Sequence, residues 1–189
     1  MKKASFFALT LFVTTTAIFG QSAYRDYNFG MSPDQVRNIS PDIRSVDLYF
    51  QATVFSFYYI YYDQLDSYPD PLRQETGRVT KFNSRSNNLY FYFVDDKLVC
   101  VEVIFSTDDI FSELQNRHGN KPLRHVRYVG NTYNTVAWNN DPNRWVVYYN
   151  DRVALQSVSY FDGRWLKSLF DKTISAINAA KSSSRSRLD

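Results

Sequence analysis

The strongest constraint on this chain is a period-two alternation of aromatic and branched side chains, repeated in several short blocks. VFSFYYIYY sets Phe55, Phe57, Tyr59 and Tyr61 on one side of an extended chain, and Val54, Ser56, Tyr58, Ile60 and Tyr62 on the other. Residues i and i+2 share a face only in a strand, so the pattern commits this segment to a sheet. NLYFYF, KLVCVEVIF, NTYNTVAW, RWVVYY and VALQSVSYF carry the same kind of signal. Aromatics are 17% of the 189 residues, which supplies ring surface for a core. That core must stand without disulfides, because Cys100 is the only cysteine.

Turn and cap residues divide the blocks into elements. Asp95-Asp96 between two alternating runs predicts a hairpin, with Val99, Val101, Val103 and Phe105 on its core face. Leu98, Cys100, Glu102 and Ile104 lie opposite, which sets Cys100 beside a charge. NNDPN at 139–143 and Asn150-Asp151 predict further turns, and DQLDSYPDPLRQET at 63–76, with Pro69 and Pro71, predicts an exposed loop. Ser32, Pro33 and Gln35 make a capping box with Pro at the first helical position, and Met31 and Val36 stand as a hydrophobic staple. Pro41 ends this short helix near Ile39 or Ser40.

Ser106 or Thr107 is the predicted cap of a second helix reaching about His118, with Ile110, Phe111 and Leu114 as its apolar stripe. Gly119 and Pro122 stop it. A third helix starts near Gly163, where Trp165, Leu166, Leu169, Phe170, Thr173 and Ile177 recur at helical spacing. FVDDKLVCVEVIF and YYNDRVALQSVSYF, each followed by a helix, read as two hairpin–helix units sharing one sheet. The predicted fold is a single α+β domain over 24–181: an antiparallel sheet of about six strands with three helices packed on one face. The other face is left to solvent or a partner. The Ser/Arg stretch at 182–189 is predicted to be a disordered tail.

Two lysines precede an apolar run of about 14 residues from Phe6 to Phe19. The run falls short of the about 20 residues that a spanning helix needs, so residues 1–20 read as a cleavable signal peptide. Gly20 offers a small residue at the junction, with Ser22 and Ala23 as alternative cut sites. The expected location is periplasmic or secreted, without an integral membrane span. Of the net charge of +3, Lys2 and Lys3 leave with the leader, and the remaining body is close to neutral. Such a body lacks the concentrated basic stripe of a nucleic-acid binder. KFNSRSNNLYFYF at 81–93 therefore reads as loop and strand rather than a single-strand binding face.

No catalytic residue and no metal ligand set stands out. His118 at a helix end and His125 are the only histidines, and neither has the spacing of a zinc site with Cys100. His118 suits the negative end of its helix. Asp95-Asp96 and Asp108-Asp109 lack the alternating ligands of a calcium loop. No cofactor is expected. The candidate binding residues are the ring cluster Tyr58, Tyr59, Tyr61 and Tyr62, and the group Trp138, Arg144 and Trp145 flanking the 139–143 turn, since Tyr, Trp and Arg dominate binding hot spots.

FGMSPDQV, residues 29–36, resembles the Gly-Met-Ser-x-x-x-Val opening of small exported bacterial proteins. These include envelope-assembly lipoproteins of the BamE/SmpA type and inhibitor-like α+β domains. The resemblance implies a short capped helix before an antiparallel meander, and a protein that binds other proteins without doing chemistry. The present chain is longer and lacks the lipidated cysteine. The leading expectation is a non-catalytic periplasmic or envelope-associated protein that binds another envelope protein. A small-ligand or glycan-binding domain using aromatic sheet residues, and a hydrolase without a recognisable motif, are the alternatives.

Overall fold

A computed structural model of the chain describes residues 21–46, 78–105, 109–128, 131–150 and 156–185. The leader, the VFSFYYIYY strand with Tyr58, Tyr59, Tyr61 and Tyr62, and the 63–76 loop lie outside these residues. Described elements run in the order β1 (Ser22–Tyr24), β2 (Tyr27–Asn28), α1 (Pro33–Ile39), β3 (Arg44–Val46), β4 (Val79–Ser84), β5 (Leu89–Val94) and β6 (Lys97–Phe105). They continue with α2 (Ile110–His118), β7 (Arg124–Tyr128), β8 (Asn131–Asp141), β9 (Arg144–Asn150), β10 (Gln156–Asp162) and α3 (Gly163–Arg185). Among the described residues no helix is long and apolar enough to cross a membrane.

The fold is α+β, and its main sheet has eight antiparallel strands rather than about six, in the order β3-β4-β5-β6-β10-β9-β8-β7. Short β3 stands at one end, where the sequence already reads as strand from Ser45, and the count rises at the other, where β7 pairs with β8 from Arg124↔Thr135 to Tyr128↔Asn131. RHVRY lacks the alternating apolar signature of a half-buried strand, so periodicity overlooks β7. In chain order β5 and β6 precede α2, and β9 and β10 precede α3, with β6 and β10 side by side at the sheet's centre.

The helices do not all pack on one face. Leu166, Leu169 and Phe170 of α3 cluster with Ala137, Val147 and Phe161. Leu114 of α2 clusters instead with Val136, Trp138, Val146 and Tyr148, and Val36 of α1 with Phe91, Phe93, Val101 and Val103. Adjacent strand residues such as Ala137 and Trp138 point to opposite faces. One face therefore carries α1, α2 and the β1-β2 hairpin, and the other carries α3. The reason is plain in the strands, whose alternate positions are apolar on both sides, so each face requires a cover.

Local signals behave as their chemistry dictates. Ser32 caps α1 with a reciprocal capping box, its Oγ accepting from Gln35 N at 3.3 Å while Ser32 N donates to Gln35 Oε1 at 2.8 Å. Asp95 and Asp96 close the β5-β6 hairpin at φ 48° and 57°, left-handed values that short acidic residues tolerate. Register shifts between Tyr92 and Phe93, since Tyr92 pairs with Cys100 but Phe93 with Leu98. This bulge places Val99 on the same face as Cys100, whereas Leu98 joins Val101 and Val103, so the predicted core-face assignments of Val99 and Leu98 are exchanged.

Helix α2 starts at Ile110 with Asp109 as its cap, not at Ser106 or Thr107. The Asp109 carboxylate accepts from the Ser112 backbone N–H at 3.5 Å, the capping bond, and from Ser112 Oγ at 2.9 Å. Gly119 ends it at φ 97°. Helix α3 runs to Arg185, past the Lys181 limit set for the domain, because Ala179, Ala180 and the serines contain no breaker.

Candidate functional site

The large apolar side chains among the described residues are buried or half-buried, and Ile39 alone of them is exposed. A binding surface on these residues must then draw on polar groups and ring edges. Trp138, Arg144 and Trp145 are not brought together as one surface. Trp138 is 1% exposed, and its indole N–H donates inward to Gly119 O at 2.7 Å. Trp145 turns to the opposite face and stacks on Phe170 of α3, centroids 6.0 Å apart. The Tyr58–Tyr62 cluster lies outside the described residues.

Arg144 is different. It sits half-buried at the start of β9, on the face that carries α2. Its register partners are Asp141 of β8 and Asp162 of β10, yet both carboxylates are engaged elsewhere. Asp141 accepts from Gln21 Nε2 at 3.1 Å and from Asn143 N at 2.9 Å. Asp162 accepts from Arg164 N at 2.9 Å, from its guanidinium, and from Trp165 N at 3.3 Å. Nε of Arg144 is left buried with no hydrogen-bond partner. Burying such a donor unsatisfied costs about 1–3 kcal/mol.

Around this guanidinium stand groups that sequence spacing did not connect. His118 closes α2 with its ring against Trp138, centroids 5.9 Å apart, and its carbonyl accepts from Asn140 Nδ2 at 2.8 Å. Burial, and then the charges of Arg144 and Arg117, hold the His118 imidazole below its usual range. These effects outweigh the helix end that favours its cation. Tyr160 of β10 packs against Tyr24 of β1 at 5.1 Å, and burial pushes its hydroxyl pKa up. The only sequence hint was the position of His118 at a helix end.

A second polar group lies on the opposite face. Lys81 Nζ sits over the rings of Tyr90 and Tyr92, 4.1 and 5.2 Å from their centroids. Tyr92 OH donates to buried Glu102. Burial lowers the Lys81 pKa, while Glu102 and Cys100 pull it back up. Burial and Glu102 push Tyr92 and Cys100 well above their usual ranges. Tyr92 and Glu102 are joined by a hydrogen bond and Lys81 rests on the two rings, so the cluster reads as internal packing of the sheet and α3 face. Glu102, a charge in the middle of an apolar strand, was its visible signal.

Cys100 is fully buried, and β7, which carries His125, lies four strands away, about 19 Å at the usual spacing of strands. That separation rules out a thiol–imidazole pair. A thiol reagent such as dithionitrobenzoate is expected to leave the folded chain unlabelled at pH 8 and to titrate one thiol per chain in denaturant. Rapid labelling of the native protein would show that the strand opens.

Among the described residues, clefts border the sheet. One of about 380 Å³ is lined by Gly30, Arg78, Lys97, Asp162 and Trp165 among others. Another, of about 450 Å³, is lined by Val46, Asn83, Arg85, Asn88 and Tyr90 among others. Each holds a single aromatic ring, short of the several rings that a sugar-stacking site would use. Among the described residues no three His, Cys, Asp or Glu side chains gather as a metal site. Compared with protein-family models, curated proteins and solved structures, the chain matches none.

Proposed function

We infer that the chain is an exported, non-catalytic protein that works by binding another protein of the cell envelope. The observation that carries this reading is Arg144, half-buried at the start of β9 with a buried, unpartnered Nε, beside the 139–143 turn and within charge reach of His118 and Tyr160. Arg and Tyr near the end of strands in a rigid sheet are the residue types that anchor protein interfaces. The charged start of the leader and its short apolar run support export, and the resemblance of FGMSPDQV to openings of envelope proteins agrees with it.

The test is in vivo. A photo-crosslinking residue at exposed Asn140, next to the site, is expected to give one discrete adduct in the envelope fraction. The same residue at exposed Asp96, in the distant β5-β6 turn, is expected to give none. A chain that stays in the cytosol with Met1 to Gly20 intact, or equal smears from both positions, sinks the reading.

A further inference from the structure

We propose that the cleft of about 380 Å³ between the β5-β6 turn and the start of α3 binds a small aromatic monocarboxylate. The inference goes beyond the binding of a partner protein and does not depend on it.

Three parts of the chain build this cleft and fix its shape. The β5-β6 hairpin supplies Val94, Leu98 and Val99, all buried, as an apolar lining. Gly30 lines it from the segment before α1, which two backbone bonds tie to the hairpin: Gly30 N donates to Leu98 O at 2.9 Å, and Leu98 N to Met31 O at 2.8 Å. The first turn of α3 supplies Trp165, half-buried and stacked on Phe161 with ring centroids 6.4 Å apart. Asp162 accepts from the N–H groups of Arg164 and Trp165 at 2.9 and 3.3 Å, which holds that turn in place. The volume falls in the range of small-molecule sites.

Charge selects the ligand. The lining carries the cations Arg78, Lys97 and Arg164 against the carboxylates Asp95 and Asp162. Both acids are committed, Asp95 to Arg78 and Asp162 to Arg164. Lys97 is exposed, and its ammonium makes no ion pair or hydrogen bond among the described residues. One uncompensated cation therefore borders an apolar cleft with an indole on its wall. A single carboxylate carried on an aromatic body answers both features: the carboxylate meets Lys97, and the ring lies against Trp165 and takes water off the apolar lining. The Arg164 guanidinium, 67% exposed despite its pair with Asp162, adds N–H donors to the same lining. An uncharged sugar leaves Lys97 unanswered, and a cationic ligand is repelled by it.

The experiment titrates the full chain with 3-phenylpropionate and follows the side-chain N–H signals of its three tryptophans by NMR, with Trp165→Leu assigning one of them. The Trp165 signal is expected to shift saturably with a Kd of about 1 mM or tighter, while that of buried Trp138 stays. The comparison probes are 3-phenylpropionamide, 3-phenylpropylamine and propionate, each expected to bind about tenfold more weakly or worse. Lys97→Gln is expected to weaken 3-phenylpropionate about tenfold, whereas Lys97→Arg, which keeps the charge, stays within about threefold of the parent. Lys97 is exposed at a hairpin end, so neither variant disturbs the core. Lys172→Gln, an exposed lysine of α3 outside the cleft, leaves binding unchanged.

No saturable shift of Trp165, or equal binding of the amide or the amine, overturns the proposal. So does an unchanged affinity in Lys97→Gln. Propionate binding as tightly as 3-phenylpropionate overturns the aromatic half of it. A peptide ending in a free phenylalanine, acetyl-Ala-Ala-Phe, carries the same chemistry at a chain end. Weaker binding of that peptide supports a free acid as the ligand, and tighter binding overturns it in favour of a protein terminus.

Discussion

Replacing Trp138 with alanine is expected to cost about 3–5 kcal/mol, the range for truncating a large buried aromatic, and to lower the melting temperature by about 10 °C. The indole is 1% exposed and touches Phe111 and His118 of α2, with ring centroids 6.4 and 5.9 Å away. Truncation opens a cavity beneath the helix and also strips Gly119 O of its donor at the helix end. Trp138→Phe keeps most of the volume and loses the N–H, so about 1–2 kcal/mol is expected from that variant. Chemical denaturation measures both. A Trp138→Ala loss below about 1 kcal/mol would mean that the ring is not the anchor of α2, and would revive it as a candidate surface residue.

Gly163→Ala should be nearly as damaging, with the opposite sign from helix propensity. Alanine normally stabilises a helical position by up to about 1 kcal/mol over glycine. Here a Cβ would collide with Pro142 O and come within 2.8 Å of Trp145 Cδ1 and 3.0 Å of Asn143 C. The nearest obstacle is backbone, which cannot swing aside as a side chain tip can. Gly163 N also donates to Asn143 O at 2.8 Å, so moving the helix start breaks the bond that ties α3 to the β8-β9 turn. An overall loss of about 3 kcal/mol is expected, at the upper end for overpacking. A neutral or stabilised Gly163→Ala variant would show that the turn and the helix start are not in close contact.

The two glycine-like positions that matter illustrate how legible this chain is. Gly119 was visible as a helix stop because it follows an apolar stripe, and its φ of 97° explains the choice. Gly163 was visible only as the place where helical spacing begins. Its steric role depends on the β8-β9 turn, residues 139–143, arriving beside it from some twenty positions upstream. Likewise the Ser32 box and the Asp95-Asp96 turn were readable because they are satisfied within a few residues. The bulge at Val99 was not, because it is defined by which residue of β5 lies opposite.

The candidate site shows the same division. Arg144 was singled out from residue type and position beside a turn, and it remains a candidate. Trp138 and Trp145 were singled out on the same grounds, but alternation along the strands turns them to opposite faces, one under α2 and one under α3. His118 of α2 and Tyr160 of β10 lie within charge reach of Arg144 from two separate elements, and no spacing rule links positions so far apart.

By itself the sequence determined what local forces decide: strands from period-two alternation, helix ends from side-chain oxygens reaching nearby N–H groups, and turns from residues that accept left-handed backbone. Tertiary structure alone decided how many strands joined the sheet, which face each helix covered, and which charged groups were left without a partner. Those outcomes follow from burial and electrostatics among residues distant along the chain. Their energies depend on what lies opposite, above and alongside, and that is a property of the assembled sheet.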